Sequence, residues 1–211
     1  MEALIFDLDG VIVFTDRFHY AAWKQMADGM GIYFDEQINN RLRGVSRMAS
    51  LEIILERYEG EPLSEGRKAK LAEQKNDIYR ELLKTMTPED VMDEVRSTLK
   101  ELRKRGYKLA IGSSSKNAKF ILEKVGLMDY FDAISDGTNI TKSKPDPEVF
   151  LMAAKFLDVK PEECLVVEDA YSGIDAAKAG GMKAAGIGDA YYYDMTDYPI
   201  RNFPELLGIM K

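Results

Sequence analysis

The sequence predicts an α/β protein, a doubly wound parallel sheet with an all-helical segment inserted after its first strand. Three observations support this. The chain opens on Leu4–Gly10, an apolar run that ends in two carboxylates and a glycine. No strand pattern follows between Asp16 and Met86, and helix and strand patterns alternate from Thr87 onward. Such alternation is typical of parallel strands joined by crossover helices.

The first predicted strand ends in two acids. Asp7 and Asp9 lie at the carboxyl end of the apolar run, and Gly10 allows the backbone to turn sharply there. Neighbouring carboxylates repel each other and are costly to desolvate, so a cation or a reacting group is expected beside them. The alternative is a capping pair at a strand-to-turn junction, because Asp is common in turns.

The spacing of apolar residues predicts four helices between residues 15 and 86. The first contains Trp23, and the second is a short helix over Asp35–Arg43. Ser46 and Ser64 are expected to cap the third and fourth. The buried face of the fourth helix is expected to carry Leu71, Ile78 and Leu82. This block is expected to form a subdomain placed over the end of the first strand.

The remainder of the chain alternates between the two kinds of element. Strands are predicted at Lys108–Ser113, Asp132–Asp136, Cys164–Asp169 and Lys183–Gly188. Helices are predicted to end at Gly106 and Val125 and to span Pro147–Leu157 and Gly173–Ala179. The tail after Asp189 is rich in Tyr and Asp and has little periodicity, so no element is predicted there.

Composition limits the classes of function. A chain of 211 residues that is 45% hydrophobic and 31% charged fits one domain with an insertion, or two small domains. A net charge of −7 with no basic run argues against a nucleic-acid partner. No signal peptide or long apolar segment is recognised, so we expect a cytoplasmic protein without a membrane partner, and a monomer. The single cysteine, Cys164, is expected in the core.

Three further groups follow predicted strands at the same edge of the sheet, where open α/β sheets bind ligands. Ser113–Ser115 offers hydroxyls and N–H groups for an anion, although Ser is also an ordinary helix cap. Lys144 lies in a proline-rich loop and either presents one ammonium group there or is simply solvated. Glu168 and Asp169 repeat the pattern of strand-end acids. So many hard oxygen ligands at one edge favour Mg²⁺.

These residues resemble, in order and separation, the four motifs of the haloacid-dehalogenase superfamily of phosphotransferases: Phe6–Val11, Ser113, Lys144-Pro145 and Glu168-Asp169. The resemblance extends over nearly the whole chain, to about Gly188. It implies a Rossmann-like core formed by residues 1–14 and 87–211 and an all-helical cap formed by residues 15–86. The chain departs from the family at Val13–Thr15, where a polar Thr-Asp-Thr is usual.

The resemblance also implies a role for each motif. Asp7 would be the nucleophile that forms an aspartyl phosphate, and Asp9 the general acid and base. Ser113 and Lys144 would hold the transferring phosphoryl group. The Mg²⁺ ligands would be Asp7, the Asp9 backbone carbonyl, Glu168 and Asp169.

A closer resemblance, to the sugar-phosphate mutases of this superfamily, implies an isomerase that interconverts β-D-glucose 1-phosphate and glucose 6-phosphate. Glucose 1,6-bisphosphate would be its intermediate and phosphorylating activator. Such an enzyme needs a second phosphate site, and Arg47 suits bidentate phosphate recognition unless it is merely a solvated surface charge. The implied substrate-binding residues are His19, Trp23, Gly44, Val45, Ser46, Arg47, Lys75, Asn76, Ser114, Ser115, Lys116 and Asn117.

Two other functions use the same motifs. A hydrolase of small sugar phosphates is the main alternative, because it needs the same nucleophile, acid and metal but no second phosphate site. A sugar-phosphate sensor without turnover is a third possibility. The complete set Asp7, Asp9, Ser113, Lys144 and Asp169 argues against the sensor.

Overall fold

The structure, a computed structural model, describes residues 1–42 and 46–211. Gly44 and Val45, which were predicted to bind substrate, lie outside the described residues. The chain divides into two compact units, a larger one of Met1–Phe14 and Met86–Lys211 and a smaller one of Thr15–Thr85. No helix within the described ranges is long and apolar enough to cross a bilayer.

Six strands and nine α-helices occur in the described part of the chain, besides short 3₁₀ turns. The strands are β1 (Ala3–Phe6), β2 (Lys108–Gly112), β3 (Ala133–Ser135), β4 (Cys164–Glu168), β5 (Lys183–Gly186) and β6 (Tyr198–Pro199). The helices are α1 (Asp16–Gly29), α2 (Glu36–Asn40), α3 (Arg47–Leu55), α4 (Glu65–Leu83), α5 (Asp93–Lys104), α6 (Ala118–Lys124), α7 (Glu148–Leu157), α8 (Tyr171–Ala179) and α9 (Leu206–Ile209).

The larger unit is built on a parallel sheet with the strand order β3-β2-β1-β4-β5-β6. The chain runs outward from β1 to β3 on one side and from β4 to β6 on the other, so the two halves meet between β1 and β4. Open α/β sheets bind ligands beyond the carboxyl ends of the strands at such a switch point. The predicted α/β class with a doubly wound parallel sheet is confirmed.

Strand β1 lies at the centre of the sheet, and its four residues expose no surface. It pairs with β2 and β4, with Phe6 opposite Ile111 on one side and Val167 on the other. A central parallel strand is covered on both faces, which is why its residues form a continuous apolar run without alternation. The backbone N–H of Asp7 donates to the carbonyl of Val167 (2.9 Å), so the first acid is held beside the end of β4.

One face of the sheet packs against α7 and α8. The apolar core on this side includes Ile5, Phe150, Val166 and Ile174. Cys164 is buried as expected, and burial, with the negative charges of neighbouring acids, raises the pKa of its thiol to about 11. The thiol therefore remains protonated and behaves as a small core residue.

The C-terminal tail adds a sixth strand, which the sequence analysis did not predict. β6 pairs in parallel with β5, and the Asp197 carboxylate beside it accepts the N–H of Ala184 (2.9 Å). Farther on, the buried Phe203 stacks on Phe6 with 5.5 Å between ring centroids. A two-residue strand that contains Pro199 shows no alternation to recognise, and the proline is tolerated because the strand lies at the sheet edge.

The other predicted strands are all present but shorter than expected. β2, β4 and β5 end one or two residues before the predicted ends, and β3 loses one residue at each end. The strand-end polar residues turn away from the ladder into loops. Helix α8 begins at Tyr171, two residues earlier than predicted.

The smaller unit consists of α1 to α4 around its own apolar cluster, which includes Trp23 and Leu51. The predicted caps are confirmed, because the Ser46 hydroxyl accepts the N–H of Ala49 (3.2 Å) and the Ser64 hydroxyl accepts that of Arg67 (3.3 Å). Each hydroxyl satisfies a donor that the first turn of a helix leaves unpaired.

The predicted buried face of α4 is partly wrong. Ile78 and Leu82 are only half-buried. The residues that α4 buries are Leu71, Ala72, Lys75, Tyr79 and Leu83. All but Ala72 are spaced four residues apart, so they lie on one face of the helix. This face includes Lys75, although a lysine is almost never fully buried.

Candidate active site

Three carboxylates converge beyond the carboxyl ends of β1 and β4. Asp7 follows β1, Glu168 ends β4, and Asp169 comes next in the chain. One oxygen of each carboxylate lies within 4.8 Å of the other two. The parallel register that sets Phe6 opposite Val167 brings Asp7 beside Glu168. The sheet therefore collects acids that are 161 residues apart in the sequence.

Two glycines make room for these acids. Gly10 has a φ of +90°, and a Cβ atom there would overlap the carboxylate of Asp169. A Cβ atom on Gly173 would overlap the carboxylate of Glu168. Gly173 lies in the first turn of α8, so the absence of a side chain lets this helix pack directly against the acid.

The ammonium of Lys144 lies between two of the acids. Its Nζ donates to Asp7 Oδ1 (2.5 Å) and to Glu168 Oε1 (2.6 Å), and it stands 4.6 Å from the ring centroid of Phe150. The Lys144 side chain is only 10% exposed. Lys144 is therefore not a solvated loop residue, which was the alternative that the sequence left open.

The charge of Lys144 offsets only part of the charge of the three acids. Burial raises the pKa of Asp7 to about 7, against the lowering effect of Lys144 and with a contribution from the charges of Glu168 and Asp9. Burial, then the charges of Glu168 and Asp7, raises the pKa of Asp169 to about 8. Burial opposes ionisation of Lys144, but the charges of Asp7 and Glu168 hold its pKa above the ordinary range.

This donor set fits Mg²⁺. The three acids supply hard oxygen ligands, with no sulfur or imidazole among the clustered groups. The raised pKa values of Asp7 and Asp169 indicate that the pocket lacks positive charge, which a divalent cation would supply. The half-buried Asp9 lies two residues after Asp7, and its predicted use of a backbone carbonyl as a ligand stays a prediction.

The loop after β2 follows at the same edge of the sheet. Ser113 is buried, its N–H donates to Ser135 (3.0 Å), and its hydroxyl accepts the N–H of Ser115 (3.2 Å). The Ser115 hydroxyl accepts the N–H of Asn117 (3.2 Å). These serines thus bond within the turn that precedes α6, and neither caps the helix, whose N-cap residue is Asn117. Their predicted contacts with phosphate stay predictions.

The other two residues of this loop differ in exposure. Lys116 is exposed. The hydroxyl of Ser114 is buried and has no hydrogen-bond partner within residues 1–42 and 46–211. Neither observation tests the predicted binding of substrate by Ser114 and Lys116, which stays a prediction.

In the smaller unit, four of the described side chains form an aromatic and basic cluster. Lys75 Nζ lies 2.8 Å from His19 Nδ1, and 4.8 Å and 4.7 Å from the ring centroids of Trp23 and Tyr79. An ammonium can only donate, so Nδ1 accepts and the proton of a neutral ring lies on Nε2. Burial, then the charges of Lys75 and Arg47, lowers the pKa of His19 well below its ordinary value, so the ring is neutral near pH 7.

Arg47 and Asn76 form a pair in the same unit. Arg47 begins α3, and its Nη2 donates to Asn76 Oδ1 (2.9 Å) on α4. Partial burial lowers the pKa of Arg47, which still remains charged at neutral pH. Ser46 is exposed, and its hydroxyl is used as the cap of α3.

The family model described as haloacid dehalogenase-like hydrolase matches residues 1–181. The chain belongs to this family. The superfamily that the four motifs indicated is therefore confirmed.

Within the haloacid dehalogenase-like family, the chain is similar to β-phosphoglucomutases over almost its whole length. It is 42% identical to β-phosphoglucomutase from Bacillus subtilis, over 98% of this chain and 92% of that protein. The crystal structure of β-phosphoglucomutase from Clostridium difficile superposes with a TM-score of 0.86 at 38% identity, covering 98% of this chain and 93% of the other. The closer resemblance drawn from the motifs was to this mutase, and it is confirmed.

A phosphatase of the same family is also similar. The phosphorylated carbohydrates phosphatase of Thermotoga maritima is 33% identical over 87% of this chain and 83% of its own length. Fold and family therefore do not distinguish transfer to a sugar from transfer to water.

Two residues that were not predicted from the sequence shape this haloacid dehalogenase-like site without carrying its chemistry. Gly173 and Phe150 contact Glu168 and Lys144, respectively. For Gly173, the only indication in the sequence was its position, five residues after Glu168 and in the first turn of a predicted helix. Phe150 gave no signal, because an apolar residue early in a helix is ordinarily part of the core.

Proposed function

We propose that this protein is a phosphomutase of carbohydrate metabolism that interconverts β-D-glucose 1-phosphate and glucose 6-phosphate. The observation that supports this most strongly is the 42% identity to a β-phosphoglucomutase over 98% of the chain. The cluster of Asp7, Lys144, Glu168 and Asp169 supports phosphoryl transfer, which depends on positioning and on neutralising charge.

In the proposed cycle Asp7 carries the phosphoryl group. A carboxylate oxygen of Asp7 attacks phosphorus in line, and the bond from phosphorus to the sugar oxygen breaks, which leaves an aspartyl phosphate. Glucose 1,6-bisphosphate would load the enzyme in this way. A sugar hydroxyl of the next substrate then attacks the aspartyl phosphate and regenerates the bisphosphate and free Asp7.

Asp9 would move the proton in both half-reactions. It accepts the proton of the attacking sugar hydroxyl in one half-reaction and returns a proton to the departing sugar oxygen in the other. Asp9 exchanges protons with both sugar oxygens in turn. The bisphosphate therefore has to rebind with its two phosphates exchanged between the half-reactions.

The neighbouring groups would hold the transferring phosphoryl group. Lys144 fixes Asp7 Oδ1 and adds positive charge beside the nucleophile, and the Ser113 hydroxyl would bond a phosphoryl oxygen. When bound, Mg²⁺ would supply the charge that neutralises the phosphoryl oxygens. Its proposed ligands are Asp7, the Asp9 backbone carbonyl, Glu168 and Asp169.

We assign the second phosphate to Arg47, whose guanidinium suits a bidentate bond to phosphate. The proposed sugar and phosphate contacts also include His19, Trp23, Gly44, Val45, Ser46, Lys75, Asn76, Ser114, Ser115, Lys116 and Asn117. We infer that the protein acts as a cytoplasmic monomer on small sugar phosphates, and its net charge of −7 argues against nucleic acid as a partner.

A sugar-phosphate phosphatase is the second candidate, favoured by the 33% identity to the Thermotoga maritima phosphatase. The two activities share the aspartyl phosphate and differ only in the acceptor. The mutase passes the phosphoryl group to a sugar hydroxyl, whereas the phosphatase passes it to water.

A coupled assay tests the proposal. Purified protein with Mg²⁺ and β-glucose 1-phosphate is assayed for glucose 6-phosphate by glucose-6-phosphate dehydrogenase, with and without trace glucose 1,6-bisphosphate. We expect glucose 6-phosphate to form, with a lag that the bisphosphate shortens, and little release of inorganic phosphate. Release of phosphate at or above the rate of glucose 6-phosphate formation would instead establish the phosphatase.

A further inference from the structure

The loop that carries Lys144 is held by hydrogen bonds to a carboxylate that is not among the proposed catalytic residues. Glu148, the first residue of α7, accepts through Oε2 the backbone N–H of Lys142 (2.7 Å) and of Thr141 (2.9 Å). The hydroxyl of Thr141 donates to the same oxygen (2.9 Å). One carboxylate thus binds three donors from two residues just before Lys144 in the chain.

The other end of the loop is also closed. Asp146 Oδ1 accepts the N–H of Glu148 (3.0 Å), and the N–H of Asp146 donates to the carbonyl of Ser143 (3.1 Å). Helix α7 itself is anchored in the core by Phe150, which is fully buried and whose ring lies beside Lys144 Nζ. The segment from Thr141 to Glu148 is therefore tied to a helix that the sheet holds.

The position of the loop backbone is important because the side chain of Lys144 is flexible. The Lys144 ammonium lies within hydrogen-bond distance of Asp7 and Glu168 at the end of a four-carbon stem. A shift of the loop backbone would move the ammonium away from both acids. The bonds from the N–H groups of Lys142 and Thr141 lower the pKa of Glu148, so its carboxylate is ionised at neutral pH and its hydrogen bonds are charge-assisted.

We propose that Glu148 is a positioning residue that holds Lys144 against Asp7 by binding the backbone of Thr141 and Lys142. Glu148 acts through the loop and does not contact the reacting groups. Its effect on catalysis rests on the proposed function of Lys144 in phosphoryl transfer, whereas its effect on the position of Lys144 does not.

The first experiment observes Lys144 directly and needs no turnover. Nitrogen-15-labelled lysine gives ammonium correlations in NMR spectra near neutral pH only for ammonium groups protected by hydrogen bonds. The Lys144 correlation in the metal-free protein is assigned by its absence from Lys144→Ala. We expect it to be lost or broadened beyond detection in Glu148→Ala, which removes the acceptor of all three bonds.

Asp197→Ala is the matched control, because Asp197 also accepts a backbone N–H but lies beside the β6 edge of the sheet. The control should keep the correlation. Thr141→Val removes only the hydroxyl bond, and it should shift the correlation without abolishing it. An unchanged Lys144 correlation in folded Glu148→Ala would overturn the proposal, and so would its loss in Asp197→Ala. If Glu148→Ala fails to fold, an unchanged correlation in Thr141→Val overturns the proposal.

The second experiment is a double-mutant cycle on the hydrolysis of acetyl phosphate, a small donor that needs only the phosphoryl-transfer groups. Misplacement of a catalytic group by about 1 Å can lower a rate roughly 100-fold, so we expect Glu148→Ala to lower kcat by about 10- to 100-fold with little change in KM. In the Lys144→Ala background the same substitution should have no further effect. Equal loss in both backgrounds would show a general structural role.

The two experiments separate failure of this proposal from failure of the proposed function. If the protein neither isomerises glucose phosphates nor hydrolyses acetyl phosphate, the NMR result still decides whether Glu148 positions Lys144. If the mutase activity is present and the cycle is additive, the positioning role is wrong while the function stands.

Discussion

Asp7 is surrounded by groups with opposing effects on its charge. It is buried beside Glu168 and Asp9, which disfavour its ionisation, and bonded to Lys144, which favours it. A nucleophile must be ionised to attack phosphorus, so the site needs additional positive charge during the reaction. A divalent cation held by the neighbouring acids would supply that charge.

The first prediction concerns this nucleophile. Asp7→Asn removes a charge and a nucleophilic oxygen with little change in volume, so the fold should persist while turnover falls by at least about 1000-fold. The measurement is the mutase assay, with circular dichroism as the control for folding. Activity within about tenfold of the unmodified protein would exclude covalent catalysis by Asp7.

The second prediction concerns pH and metal. The pKa values of Asp7 and Asp169 are raised to about 7 and about 8, so the folded, metal-free protein retains protons that the unfolded chain has already lost. The stability that these two groups contribute to the folded, metal-free protein should therefore fall as pH rises from their ordinary pKa of 3.8 to about 8, and change little above that. Mg²⁺ binding requires the ionised acids, so affinity should rise with pH and level off above about pH 8.

Calorimetry in buffers with different ionisation heats measures the protons released on Mg²⁺ binding. We expect proton release at about pH 6 and almost none at about pH 9. If no protons were released at about pH 6, the acids would already be ionised before the metal binds, which would contradict the prediction.

The chemistry-bearing residues of the site were largely predictable, because strand ends of a parallel sheet share one edge. Asp7, Lys144, Glu168 and Asp169 follow from that rule together with the motifs. The role of Glu148 could not be read from the sequence, because it depends on backbone N–H groups across a loop. No periodicity records such contacts.

Among the helices and strands, those of the C-terminal tail were not predicted from the sequence. Neither β6 nor the packing of Phe203 on Phe6 follows from a pattern, since a two-residue strand has no measurable alternation. The aromatic contact joins residues almost 200 positions apart. The tail is nevertheless part of the core that supports β1.

The third prediction tests the tail. Phe203 is 1% exposed, and truncating a buried Phe typically costs about 3–5 kcal/mol, so Phe203→Ala should lower the free energy of unfolding by about that amount. Chemical denaturation measures the change. Tyr192→Ala is the control, because Tyr192 is 79% exposed and its loss should change stability by less than about 0.5 kcal/mol. Equal effects would mean that the tail is not part of the core.

The fourth prediction concerns Arg47 on α3. If it grips the second phosphate, a bidentate pair of charge-assisted bonds contributes on the order of 2–4 kcal/mol. Arg47→Ala should then lower mutase kcat/KM by roughly 30- to 1000-fold, at about 1.4 kcal/mol per tenfold change. Hydrolysis of acetyl phosphate, which has no second phosphate, should change much less.

Asn76→Ala is a useful comparison for this prediction. It removes the residue that accepts from Arg47 Nη2 without removing the guanidinium, so it should have a smaller effect on the mutase reaction. If Arg47→Ala lowers both activities by the same factor, Arg47 supports the fold of the smaller unit, and its assignment to the second phosphate is wrong.

At the scale of the whole molecule, alternation and motif order were enough to predict the sheet and its ligand-binding edge. The order β3-β2-β1-β4-β5-β6 sets the switch point between β1 and β4, where the acids meet. The buried Lys75 of the smaller unit was not predictable, because its burial depends on Trp23 and Tyr79 from two different helices. Tertiary packing overrides the average preference of lysine for the surface.

The fate of the phosphoryl group distinguishes the proposed mutase from a phosphatase in one measurement. Phosphorus NMR follows β-glucose 1-phosphate, glucose 6-phosphate, the bisphosphate and inorganic phosphate together in one sample with Mg²⁺. The mutase mechanism predicts that glucose 6-phosphate replaces the substrate while the bisphosphate is present transiently and inorganic phosphate stays a minor species. Growth of inorganic phosphate in step with substrate loss, without glucose 6-phosphate, would contradict it.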